Sequence, residues 1–243
     1  DPSLDVGGFD AAQKLTILSG LAFGTPLDGG KNVHTEGITC LAPQDFTHAR
    51  AMGYAIKPLA IAQKEEDCVH ARVHPTLIPR TSLLASVDDV FNAVHITSDG
   101  LGPSLLYGAG AGMMPTAVAV VSDVIESARA LVHEGSDSAG AQASPIEQMS
   151  FAAAGDFDCQ HYLRFTVVDQ SGVLATLSTV LGDQNISIAS MFQTKQASDD
   201  TPVEIVVCTH RARLPDVNQA VSIIDQLPIV RQPTVAVRMD SDL

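Results

Sequence analysis

The first fourteen residues carry the densest set of groups able to do chemistry: Asp1-Pro2-Ser3-Leu4-Asp5-Val6-Gly7-Gly8-Phe9-Asp10-Ala11-Ala12-Gln13-Lys14. Asp10 and Lys14 are four residues apart, which on a helix puts them on one face. Asp5 precedes that helix, where a carboxylate either caps an N-terminus or points into a site. Carboxylates suit an α-ammonium group, and a lysine suits a carboxylate or a reacting hydroxyl. The same spacing equally serves a solvated ion pair beside a capping aspartate, and spacing alone names no substrate.

Other groups invite weaker readings. Gly108, Gly110 and Gly112 precede a helical pattern, and glycines there let a ligand approach backbone amides or simply make a flexible turn. The run is not the G-x-G-x-x-G fingerprint, and no strand–glycine–helix dinucleotide site occurs elsewhere in the sequence. Cys68, His70 and His74 would share one face of a strand, but no second ligand group follows, so no metal is expected. His34, His48 and His95 form no Ser-His-Asp or Cys-His arrangement and read as surface or satisfied core residues. Cys40, Cys68, Cys159 and Cys208 show no C-x-x-C spacing and read as free thiols of a reducing compartment.

The elements that must hold these groups fall into two blocks. In residues 1–132, apolar spacing at Ala11, Leu15, Leu18 and Ala22 predicts a helix over 10–23, with Gly20 weakening its last turn. A short helix over 43–52 starts at Pro43 and is closed by Gly53. Strands follow at 54–63, 68–78 and 90–97, with 101–107 a strand or an extended lead-in. A helix over 113–132 is apolar on most sides and so requires burial on more than one. Together these imply an α+β block, a mixed sheet with helices on one face. Residues 133–158 are small and polar and read as a linker. In residues 159–243, strands at 161–168, 186–194, 203–210 and 234–239 and helices at 173–181 and 216–227 give the order βαββαβ of the ferredoxin-like unit.

Bulk properties exclude some functions. The 243 residues carry a formal net charge of −14, and only 14 Lys and Arg are scattered along them, so no basic patch exists for nucleic acid. No apolar run approaches the roughly 18 residues of a membrane span, and no signal peptide is evident. A cytoplasmic enzyme is expected. The opening at Asp1-Pro2 without Met suggests a fragment or a processed product.

The pattern D-P-x-x-D-V-x-G-x-D-x-x-x-K resembles the homoserine dehydrogenase signature at every fixed position. Further stretches agree in family order: Glu36-Gly37-Ile38, Asp45, Ala49, Gly53-Tyr54-Ala55-Ile56-Lys57, Val73-His74-Pro75-Thr76-Leu77-Ile78-Pro79, Phe91-Asn92-Ala93-Val94, and the glycine run leading to Pro115-Thr116-Ala117. The resemblance implies an NAD(P)-dependent oxidoreductase interconverting homoserine and aspartate semialdehyde in threonine, methionine and isoleucine biosynthesis. It makes Asp5, Asp10 and Lys14 substrate-binding and Lys14 catalytic, as a proton donor or an electrostatic partner. An upstream lysine of the family is the rival for the proton transfer. It sets Gly108, Gly110 and Gly112 near the cofactor's nicotinamide end, and makes the first block's sheet a dimer interface. The family's nucleotide-binding domain would lie before Asp1, leaving the chain inactive alone.

The second block resembles an ACT domain, a regulatory module, at Asp169-Gln170-Ser171-Gly172-Val173-Leu174-Ala175 and at Asn185-Ile186-Ser187-Ile188. By that resemblance the turn at 169–172 receives an effector amino acid, threonine, through Asp169, Gly172 and Asn185. Ser171 replaces the usual proline, so dimerisation alone is the other reading of this block. For the chain as a whole the rival reading is a non-catalytic oligomerisation and amino-acid-sensing module.

Overall fold

The computed structural model of the protein describes residues 1–133, 148–152, 157–193 and 202–243. They form two compact units, residues 1–79 with 147–243, and residues 80–146.

The larger unit opens with one helical turn, α1 (Ser3–Val6), followed by α2 (Phe9–Phe23). The joint between them is Gly7-Gly8. Gly8 has a φ of 79°, and a Cβ on it would lie 3.1 Å from Val73, 3.2 Å from Thr35 and 3.3 Å from the Glu36 carbonyl. Of the two readings of Asp5, a cap on α2 or a group pointing into a site, the structure removes the cap. Asp5 lies inside α1, and the N-cap of α2 is Gly8, with no side-chain cap. Nor does α2 stop at Gly20. That residue gives room to Leu27, and Gly24, at a φ of 68°, ends the helix with its N–H on the Gly20 carbonyl.

Beyond a two-residue strand, β1 (His34–Thr35), comes α3 (Pro43–Ala51), with proline in its first turn and Gly53 at a φ of 85° just past its end. A long antiparallel pair follows, β2 (Tyr54–Glu65) and β3 (Cys68–Pro79), running further than the alternation predicts. Ala12 and Leu15 of α2 pack on Ala71 and Val73 of β3, and Ala49 of α3 packs with Leu77. Both helices therefore cover the face of β3 that carries its odd-numbered residues.

The linker expected over 133–158 falls largely outside the described residues, at 134–147 and 153–156. Its described part is pinned to the sheet: β6 (Ser150–Phe151) pairs with β3, and the Ala152 N–H donates to the Val69 carbonyl over 3.0 Å.

The second block is β7 (Asp158–Val167), α5 (Val173–Asp183), β8 (Ile188–Gln193), β9 (Val203–Thr209), a short β10 (Ala212–Arg213), α6 (Leu214–Asp225) and β11 (Val230–Met239). Its strand order, β11-β7-β9-β8, all antiparallel, is ferredoxin-like. Leu163, Phe165 and Val167 face α5 and α6, while Tyr162, Val206 and Cys208 face the first block. The last strand also runs parallel to β3, Arg238 opposite Thr76 and Met239 opposite Leu77. The two blocks thus share one sheet, nine-stranded among the described residues.

In the smaller unit a 3-10 turn (Leu83–Ser86) leads to the antiparallel pair β4 (Phe91–Ser98) and β5 (Gly102–Ala109), then α4 (Met113–His133). Phe91 and Tyr107 stack with ring centres 5.0 Å apart. Within its own unit α4 leaves Met113, Val118, Val121 and Val124 uncovered. No helix among the described residues is long and apolar enough to cross a membrane.

Candidate functional site

The buried stripe of α2, Ala12, Leu15, Thr16 and Ser19, rests on the sheet and turns Asp10 and Lys14 outward. The Lys14 ammonium donates to the Asp10 carboxylate over 2.5 Å, with side chains 69% and 41% exposed. Asp5 is exposed on α1. The arrangement offers two carboxylates and one ammonium on neighbouring helical segments, all open to a small charged molecule.

This surface is braced from beneath. The Glu36 N–H donates to the Val73 carbonyl (2.8 Å), and the Ile38 N–H donates to the Val6 carbonyl (3.0 Å). A Cβ on Gly37 would come 2.4 Å from that same Val6 oxygen, so residues 36–38 lie directly against the α1–α2 joint. The sequence marked Glu36-Gly37-Ile38 only as a family match, not as this support.

At the head of α5 the turn at 169–172 borders a depression of about 290 Å³, lined by residues 168–174 together with Gln193, Val203 and Ile205. Gly172 is the N-cap of α5 at a φ of 91°, with open space where a Cβ would stand. Asp169 and Gly172 therefore come together there. Asn185 does not join them. It sits beyond the far end of α5 at a φ of 56°, its N–H on the Gly182 carbonyl, and Gln193 of β8 lines the depression instead.

The glycine run belongs to the smaller unit and has local causes. A Cβ on Gly110 would fall 1.4 Å from the Asn92 side-chain nitrogen, Gly112 has a φ of 127°, and only Gly108, opposite Asn92, has open space beside it. The run joins an antiparallel strand to a helix, whereas dinucleotides bind at parallel βα units. These residues do not fit the holding of a whole nicotinamide dinucleotide.

The structure adds two polar clusters that the sequence does not announce. Asp45, fully buried on α3, accepts from Arg164 (2.6 and 3.1 Å), from the Tyr162 hydroxyl (2.8 Å) and from the Ala42 N–H (2.8 Å). Glu204 accepts from Arg164 (3.3 Å) and pairs with His48 (2.9 Å). Burial, then Asp45, pushes the Tyr162 hydroxyl up; burial opposes the Arg164 charge, but Asp45 outweighs it and raises its pKa. In the second cluster Arg238 holds Glu36 with two bonds, beside His34, His74, Arg72 and the Phe157 ring. Burial and the Arg238 charge push His74 down to about 3 and His161 to about 4, and burial raises the Cys159 thiol to about 11. His74 thus belongs to this cluster. Among the described residues no three His, Cys, Asp or Glu side chains converge as metal ligands.

A signature-bearing block and a ferredoxin-like module are thus built together on one sheet. Family models agree: homoserine dehydrogenase matches residues 1–125 and ACT domain matches residues 161–228. The chain belongs to the homoserine dehydrogenase family. It is 39% identical to the homoserine dehydrogenase of Pseudomonas aeruginosa and 38% identical to that of Neisseria gonorrhoeae, in each case over 99% of this chain and 56% of the relative. The crystal structure of a homoserine dehydrogenase from Thiobacillus denitrificans superposes with a TM-score of 0.86 at 37% identity, over 99% of this chain and 55% of that one. The chain thus spans a little over half the length of these relatives.

Proposed function

We propose that the chain is the substrate-binding and regulatory portion of an NAD(P)-dependent homoserine dehydrogenase. That enzyme interconverts L-homoserine and L-aspartate 4-semialdehyde in threonine, methionine and isoleucine biosynthesis, in the cytoplasm and as a homo-oligomer. The observation that carries the reading is the signature with its Asp10–Lys14 pair held outward on α2. Asp5 and Asp10 receive the substrate's α-ammonium group. Lys14, released from Asp10 by that exchange, offers its ammonium to the oxygen that becomes negative during reaction. A nicotinamide cofactor would supply the hydride chemistry. Gly108, Gly110 and Gly112 would be this chain's own contacts to that cofactor.

Within this reading residues 1–132 are the catalytic and dimerisation portion, 133–158 the connection and 159–243 the ACT portion. Threonine binds at 169–172, its carboxylate on the first-turn amides of α5 and its ammonium on Asp169, with Gln193 reaching in from β8.

The test is homoserine oxidation with NAD and with NADP by the full-length enzyme. Lys14→Ala is expected to reduce turnover at least about a hundredfold, and Asp10→Asn to impair it as well. Near-normal rates from both folded variants would leave the pair a plain surface ion pair.

A further inference from the structure

We propose that Arg238, on the last strand of the chain, is a positioning residue for the substrate-binding segment and acts through Glu36. The inference rests on the reading of Asp5, Asp10 and Lys14 given above.

The route is short and every link is a contact. Arg238 is 4% exposed and sits in the ladder between Thr76 of β3 and His161 of β7. Its guanidinium lies over the Phe157 ring at 5.3 Å, and its two terminal nitrogens donate to the two Glu36 oxygens at 2.6 and 2.5 Å. A forked pair of this kind fixes a carboxylate in direction as well as in place. His34 adds a third contact to Glu36 at 2.7 Å. The backbone of Glu36 is tied to β3, and the next two residues press on Val6 and Gly7 so closely that no side chain fits at Gly37. The Glu36 carbonyl also faces Gly8. Gly8 in turn starts α2: its N–H is on the Asp5 carbonyl, and its carbonyl receives the Ala12 N–H. The angle between the turn carrying Asp5 and the helix carrying Asp10 and Lys14 is therefore set on a bed clamped by a guanidinium from β11.

The pair is separable from simple stability by what it should change. Loss of Arg238 leaves the Glu36 carboxylate on His34 alone and loosens the bed, so the three charged groups should lose their mutual geometry while the rest of the sheet stays. Misplacement on the scale of an ångström is costly to a bound, oriented substrate.

The experiment uses the full-length enzyme with Arg238→Met, Arg238→Lys, Glu36→Gln and the double variant Arg238→Met/Glu36→Gln. Homoserine oxidation and deuterium exchange of residues 6–14 are measured in parallel. Arg238→Met is expected to raise KM for homoserine about tenfold or more with KM for the dinucleotide unchanged, and to speed exchange in residues 6–14 ahead of β7 and β9. Arg238→Lys should recover part of both effects. The double variant should be no worse than the worse single one, since both act along one route. If circular dichroism finds Arg238→Met unfolded, Glu36→Gln carries the same comparison. Wild-type KM for homoserine together with wild-type exchange in residues 6–14 would overturn the proposal, and so would exchange that rises equally throughout the sheet. Should the wild-type enzyme fail to oxidise homoserine at all, the functional reading falls, and the exchange pattern still decides the role of Arg238.

Discussion

Lys14 and Asp10 are too exposed for their ion pair to matter much to folding; such pairs contribute about 0–1 kcal/mol. Lys14→Ala should therefore leave the melting temperature nearly unchanged while turnover collapses, a separation that activity and calorimetry on one sample will read. Gly8 works the other way. At a φ of 79° with Val73, Thr35 and Glu36 crowding its α-carbon, an alanine there meets both backbone strain and collision. Gly53, at a φ of 85°, has open space around it and supplies the control. Gly53→Ala should cost about 1–2 kcal/mol from backbone strain alone, and Gly8→Ala more, with a loss of turnover that Gly53→Ala does not share. Denaturant unfolding of the two variants checks the order, and equal costs would mean that the sheet yields to the new methyl group. The spacing of Asp10 and Lys14 was readable because helical neighbours are local in sequence. The role of Gly8 was not, because what crowds it comes from β1 and β3.

Among the elements, α3 is tied to the second block through a buried polar cluster. Its Asp45 is fully buried with Arg164 forked onto it and the Tyr162 hydroxyl alongside. A buried ion pair is weak evidence of net stabilisation, yet removing one partner strands the other charge in the core. Asp45→Ala should thus destabilise the protein by about 3–5 kcal/mol. Replacing the ensemble by apolar residues of similar volume should cost far less, and urea unfolding of both variants distinguishes the two cases. Pro43 and Gly53 made α3 legible as a helix, but a lone aspartate in its first turn reads as an ordinary cap. Its partners stand more than a hundred residues further along the chain, and sequence periodicity carries no signal across that distance. The same limit applies to the parallel pairing of β3 with β11. Each strand is visible from its own alternation, but which edges meet depends on how the blocks dock.

At the scale of the whole molecule, one buried cluster makes stability depend on pH. His74 and His161 titrate near 3 and 4 in the folded protein, against an ordinary value of 6.5, because they are buried beside Arg238. Below 6.5 the unfolded chain takes up protons that the folded chain refuses, so stability should fall as pH drops from about 6.5 towards 4 and 3. Glu36, held well below its ordinary 4.5 against the opposing effect of burial by Arg238 and His34, pulls the same way. Its contribution is full above that value and is lost as pH falls beneath it. Urea midpoints at about pH 7.5 and about pH 5 should differ, and His74→Gln should flatten the difference. A midpoint independent of pH over that interval would mean that these imidazoles are not held neutral.

The shared strand also limits how this protein can be cut and recombined. The ACT domain match spans 161–228 and stops before β11, which begins at Val230. A chimera drawn at those limits would import a regulatory module without the strand that closes its own sheet, and would leave β3 with an open edge. Edges of that kind recruit other chains. During synthesis on the ribosome the same edge stays bare until nearly all of these residues have emerged, since Arg238 and Met239 are what cover Thr76 and Leu77. Late closure of this sort leaves a strand edge unpaired while the chain folds, and it makes the ACT module a part of the fold that cannot be inherited by itself.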